Sequence, residues 1–324
     1  MLSYDEIYSC LKGDRDDWLF AAAAECRVKN VGETIHIRGV IEFSSYCRCN
    51  CLYCGLRSQN PSRRYRLSKK EIIVTAEKAV TMGFQTLVLQ AGEDKFYTTS
   101  DIVEIISAVR EKSDVAITLS LGLQSYDTLR QWKEAGANRY LLKLEATQAW
   151  RHDYFRPAQS HSKRLQALYD LQELGYEVGS GIIVGLDMKG QDPIALLTED
   201  ILFLTELNLT MLATGPLIPH STTPLKEWAY GDLLLSHRVI ALLRLCNPIA
   251  NIPATSALDV LAKITCPDKL PQERKKGLEH GANVLMEAVP LPEQKAHYDI
   301  YPSKERSLDP YEKARTIIRN IAKK

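Results

Sequence analysis

Several things are scarce in this sequence, and each shortage removes a class of protein. No apolar run approaches the roughly 20 residues that a membrane-spanning helix needs. Neither sign of charge dominates: 41 Lys and Arg stand against 40 Asp and Glu, a formal net charge of +1. A basic nucleic-acid-binding face and an acidic disordered tail are therefore not indicated. Met1 to Asp17 carries acids early and lacks the basic-then-apolar pattern of a secretory signal. Low-complexity stretches and an evident domain linker are also missing. A soluble, cytoplasmic protein is expected.

What is present suffices for one large core. The chain has 324 residues, 45% hydrophobic and 25% charged, and a (β/α)8 barrel takes about 250 residues. Tyr4 to Lys29 has helical apolar spacing and the good helix formers Ala21 to Ala24, so one or two helices precede the main domain. Thr34 to Phe43 alternates and is rich in β-branched residues, which predicts a strand. From there strands and helices alternate. Helices are predicted over 68–82, 99–112, 126–135, 161–174, 194–206, 231–246 and about 269–279, and strands over 84–89, 115–121, 139–145, 176–184, 210–215, 251–256 and 282–287. Ser68 with Glu71 forms a capping box. Gly83, Gly136, Gly175 and Gly281 recur where a helix stops before a strand, the place where a left-handed residue is wanted. About eight strands separated by helices imply an α/β fold, a closed (β/α)8 barrel of the TIM type, with a doubly wound open sheet as the alternative. The organisation expected is an N-terminal helical segment over 1–33, the barrel over 34–290, and a C-terminal extension over 291–324 that caps it and ends in a basic helix from Pro310.

Four of the eight cysteines, Cys47, Cys49, Cys51 and Cys54, sit in one short segment, while Cys10, Cys26, Cys246 and Cys266 are scattered. Cys47, Cys51 and Cys54 have Cys-x3-Cys-x2-Cys spacing directly after the first strand, in the first βα loop. Barrel active sites are built from such loops. Three thiolates can hold three irons of a 4Fe-4S cubane and leave the fourth open to chelate S-adenosylmethionine (SAM). An electron passed to the sulfonium would give a 5′-deoxyadenosyl radical. Tyr53 would shield the cluster, and the spacing of Cys49 looks incidental. Structural zinc is the bland alternative, but no second Cys or His pair follows to close a tetrahedral site. A redox Cys-x2-Cys leaves two cysteines unexplained. A non-catalytic zinc or iron–sulfur scaffold is the reading from a different class.

Later loops supply candidate ligand contacts. Gln90, Gly92 and Glu93 end the second strand, where a glycine lets backbone approach a ligand, although Gly-Glu-Asp is also an ordinary turn. Thr118 and Ser120 share one face of the third strand, as ligand contacts or as core hydrogen-bonders. Glu145 ends the fourth strand and can accept from ribose hydroxyls, with Lys143 on its face; a plain Lys143–Glu145 ion pair is the alternative. Arg164, or else Arg156, can pair with the SAM carboxylate. Thr255 and Ser256 are candidate substrate donors, and Met286, Tyr298 and Tyr301 would line or cap the cavity unless they serve packing alone. His36 reads as a strand histidine without a catalytic role, and His152 and His161 as solvated loop residues.

With these residues in hand, the chain resembles the radical SAM family of the FeFe-hydrogenase maturase HydE, in the group that also holds biotin synthase and methylornithine synthase. The resemblance runs from about Val31 to Pro302. It rests on Ile41-Glu42-Phe43-Ser44, on Cys51-Leu52-Tyr53-Cys54-Gly55-Leu56-Arg57, and on Arg64-Tyr65-Arg66. Leu89 to Asp94, Thr118 to Gly122, Tyr140-Leu141-Leu142, Gly215 to His220, Asn251 to Thr255 and Gly281 to Val284 continue it. The resemblance implies a full barrel with SAM in its mouth, Glu145 and Arg164 on SAM-binding positions, and Met286 and Tyr298 near the cofactor and substrate cavity. It implies radical chemistry on an iron–cyanide–carbonyl–cysteine precursor on the way to the hydrogenase two-iron subcluster, with HydG supplying that precursor and HydF receiving the product. A ferredoxin or flavodoxin would donate electrons. Three departures are visible: Lys143-Leu144 stands in place of Arg-His, Glu287-Ala288-Val289 in place of Pro-Asn-Trp, and no cysteine follows Cys266. A mutase of the methylornithine type is the alternative activity. Biotin synthase chemistry is disfavoured, because cysteines for its second cluster are missing from the barrel strands.

Overall fold

A computed structural model describes residues 2–268, 271–291, 298–302 and 307–321. Two helices, α1 (Tyr4–Lys12) and α2 (Asp16–Val31), precede β1 (His36–Ser44). Then follow α3 (Lys69–Thr81), β2 (Thr86–Ala91), α4 (Thr99–Lys112), β3 (Ala116–Ser120), α5 (Tyr126–Glu134) and β4 (Arg139–Leu141). The second half holds α6 (Ala149–Phe155), α7 (His161–Glu173), β5 (Glu177–Val184), α8 (Pro193–Glu206), β6 (Met211–Pro216) and α9 (Leu233–Cys246). It ends with α10 (Ser256–Thr265), α11 (Glu273–Glu279), β7 (Val284–Ala288) and α12 (Pro310–Arg319). Among the described residues no helix is long and apolar enough to cross a membrane.

The seven strands are all parallel, in the order β6-β5-β4-β3-β2-β1-β7. The expected extra strand over 251–256 is present only as two single bridges, Met211 to Asn251 and Pro253 to Val284. The chain nevertheless crosses the seam between β6 and β7 there: Leu212 N–H donates to Asn251 O, and Ala254 N–H to Val284 O. Pro253 has no N–H to give, so the ladder cannot continue, and Ser256 already starts α10. The curled sheet is thus a TIM-like barrel whose closing strand proline keeps irregular.

Alternation along the strands divides the two faces. Ile41, Phe43, Leu87, Leu89, Ile117, Leu119, Tyr140, Val178, Ile182, Leu212 and Leu285 point outward into the main core beneath the helices. Their neighbours, among them Glu42, Gln90, Thr118, Ser120 and Met286, face the barrel interior. Capping sets where helices begin: Ser68 with Glu71 and Thr98 with Asp101 form reciprocal boxes. The four helix-stop glycines named above all take positive φ.

The expected strand over 139–145 stops at Leu141, and only Glu145 rejoins the sheet, bridging Ile182. Glu145 sits at φ 69°, a left-handed conformation costly for a residue with a Cβ. Residues 269 and 270 of the expected helix 269–279 lie outside the described residues, and the observed helix begins at Glu273. Helices α6 and α10 were not foreseen.

Candidate radical SAM site

The first βα loop leaves β1 at Ser44 and is tied down by side chains around it. Arg64 donates to four of its carbonyls: Ser45 O, Leu56 O at 2.9 Å, Arg57 O at 2.7 Å and Asn60 O at 3.3 Å. Tyr65 N–H donates to Ser45 Oγ, and its hydroxyl to Glu42 O. Leu52 N–H bonds to Phe155 O, so the loop is anchored to α6 as well. Gly92 lies directly beneath: a Cβ there would meet Cys47 Cβ at 2.6 Å and the Tyr46 carbonyl. Gly92 is therefore required by the cysteine loop, a different reason from the ligand approach expected of it. Gly55, after the last cysteine, is covered in the same way by the Asp299 carbonyl and His220, and its N–H donates to Ile300 O.

All four loop cysteines are free thiols. Burial pushes the Cys51 and Cys54 thiols up. The Cys49 side chain, hydrogen-bonded to Cys47, brings Cys47 down to about 6, while Cys49 itself is driven up by that same bond. Buried thiols that resist ionisation become thiolates readily only when a cation compensates them, which iron does. Among the described residues, no three metal-binding side chains converge as they would around a single ion. Cys49 is buried, and Gln159 Nε2 donates to its sulfur.

Glu93 is a hub for three arginines. Arg164 Nη1 lies 3.3 Å and Arg156 Nη2 3.8 Å from its Oε1, and Arg48 Nη2 3.6 Å from its Oε2. Burial alone would raise this carboxyl, yet Arg164 and Arg156 outweigh it and hold the pKa low. Arg164 also donates to Lys143 O at 2.7 Å, and Arg156 to the Tyr53 hydroxyl at 2.7 Å. The Lys143–Glu145 ion pair, the alternative to ribose binding, is formed here, with Nζ to Oε2 at 2.9 Å. Tyr53 packs with Phe155, Leu186, Leu217, Leu225 and Trp228 in a small apolar cluster separate from the main core.

The other candidates occupy the mouth or the interior. Gln90 Nε2 reaches the Tyr298 hydroxyl at 3.3 Å, and Ser256 Oγ the Tyr301 hydroxyl at 2.7 Å. Thr255 Oγ1 donates to Thr214 O at 3.2 Å. Thr118 is buried on the interior face with no hydrogen-bond partner for its hydroxyl, a polar atom that a bound ligand would satisfy. Met286 lines a small interior cavity of about 20 Å³ with Thr118, Arg38 and Met211. Ser120 ends β3, directly opposite Gln90 in the β2–β3 register. His36 opens β1 at the far end of the barrel. His152 and His161 correct the sequence reading: both are buried, on α6 and α7, with their rings in edge contact at 5.2 Å. The Arg64 clasp and the arginines around Glu93 were missed as such, although the loop signalled them by its many arginines and no acids.

A three-cysteine loop at the mouth of a parallel barrel, with polar side chains turned inward beneath it, defines the radical SAM class of enzymes. A model of the radical SAM superfamily matches residues 41–199. The [FeFe] hydrogenase maturase subunit HydE of Thermotoga maritima is 43% identical over 287 residues, 88% of this chain and 79% of that protein. The 3-methylornithine synthase of Methanosarcina acetivorans is 28% identical, covering 80% of this chain and 74% of its own. Among solved structures, methylornithine synthase (PylB) superposes with a TM-score of 0.83 at 26% identity, over 99% of this chain and 92% of that one. The maturase HydG from Carboxydothermus hydrogenoformans shares the fold, with a TM-score of 0.82 at 22% identity over 98% and 75% of the two chains. The chain belongs to the HydE family of radical SAM enzymes, whose cofactors are a 4Fe-4S cluster and SAM.

Proposed function

We propose that this chain carries out the HydE-type step in assembling the [FeFe]-hydrogenase active site, acting on a small organometallic substrate between HydG and HydF. The observation that carries the reading is the 43% identity to HydE across 88% of the chain, cysteine loop included. When bound, the cluster supplies an electron to the SAM sulfonium, whose homolytic cleavage gives a 5′-deoxyadenosyl radical. Ferredoxin or flavodoxin is the proposed source of that electron.

Each of the remaining roles falls to a residue of the chain. Cys47, Cys51 and Cys54 hold three irons. Glu145 accepts from the ribose hydroxyls, held in its left-handed conformation by Lys143 and by its bridge to Ile182. Thr118 and Ser120 offer hydroxyls to SAM from the barrel interior, and Gln90 with Tyr298 closes over them. Arg164 is placed for the SAM carboxylate, with Glu93 as its positioning partner. Leu52, Tyr53 and Phe155 exclude water from the cluster side. Lys143, Met286, Thr255, Ser256 and Tyr301 line the substrate side.

The test is complementation. In a host that lacks its own HydE but holds HydF and HydG, this chain should restore [FeFe]-hydrogenase activity. Restoration by a Cys51→Ala variant, or none by the wild type, counts against the reading. The likeness to methylornithine synthase supports a second reading, a mutase acting on a small amino acid. Formation of methylornithine from a small amino acid by the anaerobic, reconstituted protein would favour it.

A further inference from the structure

From Phe43 to Lys70 the sequence holds seven cations and no acid, although the whole chain carries a net charge of only +1. This stretch is the cysteine loop and its return to α3. Some of its charges are used inside the protein. Arg64 is spent on carbonyls, Arg66 on Asp94 at 2.7 Å, and Lys69 on Asp101 and Glu104. Others face solvent. The Arg48 side chain is 50% exposed, Arg63 is exposed with no ion pair among the described residues, and Arg57 is half-buried, its guanidinium meeting the Gln59 amide and no acid among those residues. Lys95, from the neighbouring loop, is exposed and lines the same cavity as Arg48. Of the acids beside them, Glu93 is paired with Arg48 itself as well as with Arg156 and Arg164, and Asp94 with Arg66, so arginines outnumber carboxylates here.

Two aromatic rings stand among these charges. Tyr46, the residue before Cys47, and Phe96 sandwich the Arg66 guanidinium at 3.6 and 4.6 Å from their ring centres, and Phe96 is 60% exposed. Beside them opens a cavity of about 390 Å³, with Arg48 and Lys95 at its lip and Phe43 and Trp132 in its floor. Exposed aromatics set among arginines are the composition of a protein-binding hot spot. The site also lies close to where electrons must enter. Cys47 is only partly buried, and both of its sequence neighbours are exposed, so the protein cover over the cluster loop is thin here.

We propose that the face formed by Tyr46, Arg48, Arg57, Arg63, Lys95 and Phe96 docks an acidic one-electron carrier protein. This rests on the radical SAM reading and adds to it the route of reduction. One electron leaves the carrier, which ends oxidised by one equivalent, and enters the cluster at Cys47, Cys51 and Cys54; no bond forms or breaks. Charge complementarity speeds such an encounter and makes it sensitive to salt.

The test measures binding first. A purified acidic flavodoxin is titrated against the full-length, reconstituted protein by calorimetry at low ionic strength, for wild type and for Arg63→Glu/Lys95→Glu. The variant should weaken the Kd by about tenfold or more, and raised salt should weaken wild-type binding similarly. A milder Arg63→Gln/Lys95→Gln pair should fall between the two. SAM cleavage driven by dithionite, which needs no docking face, should be unchanged in the variants, while cleavage driven by flavodoxin slows. Equal Kd values in wild type and charge-reversed protein, or wild-type binding indifferent to salt, would overturn the proposal. So would capture of a short RNA with no affinity for flavodoxin. Absence of dithionite-driven cleavage in the wild type would count against the radical SAM reading instead, and the binding result would still decide this one.

Discussion

Cys47 rests on Gly92 so closely that a Cβ added to the glycine would stand 2.6 Å from the Cβ of the cysteine, with the Tyr46 carbonyl also in its way. Because backbone is involved, a larger residue displaces the loop itself, and a site that must hold a cluster tolerates only about half an ångström of error. Gly92→Ala should therefore lower cluster content by about half or more after anaerobic reconstitution, read by iron and sulfide analysis. Cluster content equal to wild type would mean that the loop yields without consequence.

Cys51 and Cys49 are both buried in the same loop but should behave differently. Cys51→Ala removes an iron ligand, so cluster and 5′-deoxyadenosine formation should both be lost. Cys49→Ala removes a sulfur that contacts Gln159 and Cys47, and cleavage should persist within a few-fold. If the Cys49 variant were as inactive as the Cys51 variant, the ligand set would have to be redrawn.

Arg64 predicts a stability effect without chemistry. Its guanidinium serves four loop carbonyls, and charged hydrogen bonds of this kind contribute about 1.5–3 kcal/mol each, far from additively. Arg64→Ala should cost about 2–4 kcal/mol in urea unfolding. Arg64→Lys should recover only part of it, since an ammonium cannot reproduce the planar fork. Full recovery by lysine would show that charge alone holds the loop.

The sequence carried the features that rest on periodicity and spacing. The strand–helix alternation, the capping boxes and the three-cysteine loop were all readable, because each depends on neighbours a few residues apart. What could not be read depends on distant partners. Helix α6 buries Arg151 and His152, which look solvent-facing in sequence; Asp200, 49 residues away, pairs with that arginine in the interior. β4 stops at Leu141 although Leu142 and Leu144 continue its apolar residues, and the left-handed Glu145 returns to the sheet by a single bridge. Pro253 interrupts the closing strand although its flanking residues, Ile252 and Ala254, pack in the core as strand residues do. Glu93 lies in a turn that reads as ordinary, and its three arginines come from three separate loops and helices.

Two histidines, the buried His152 and the half-buried His280, give stability a pH dependence with a definite sign. Burial first, then the charge of His237 and Lys276, pushes His280 down to about 4. Burial, then Arg156 and Arg164, does the same to His152 against a smaller upward pull from Asp153. An unfolded imidazole titrates near 6.5. Above that value neither state holds the proton, and the contribution is fully present. As pH falls towards 4, the unfolded chain takes up protons that the folded chain refuses, so folding stability declines. After allowance for solvent screening, chiefly around the half-buried His280, the loss between pH 7 and 5 should be about 1–2 kcal/mol. Replacing both by glutamine removes the proton uptake, so urea unfolding at the two pH values should show a smaller decline in the double variant than in the wild type. Other groups titrate equally in both proteins, and the difference isolates this pair. Equal declines would mean that neither ring is held neutral by the fold.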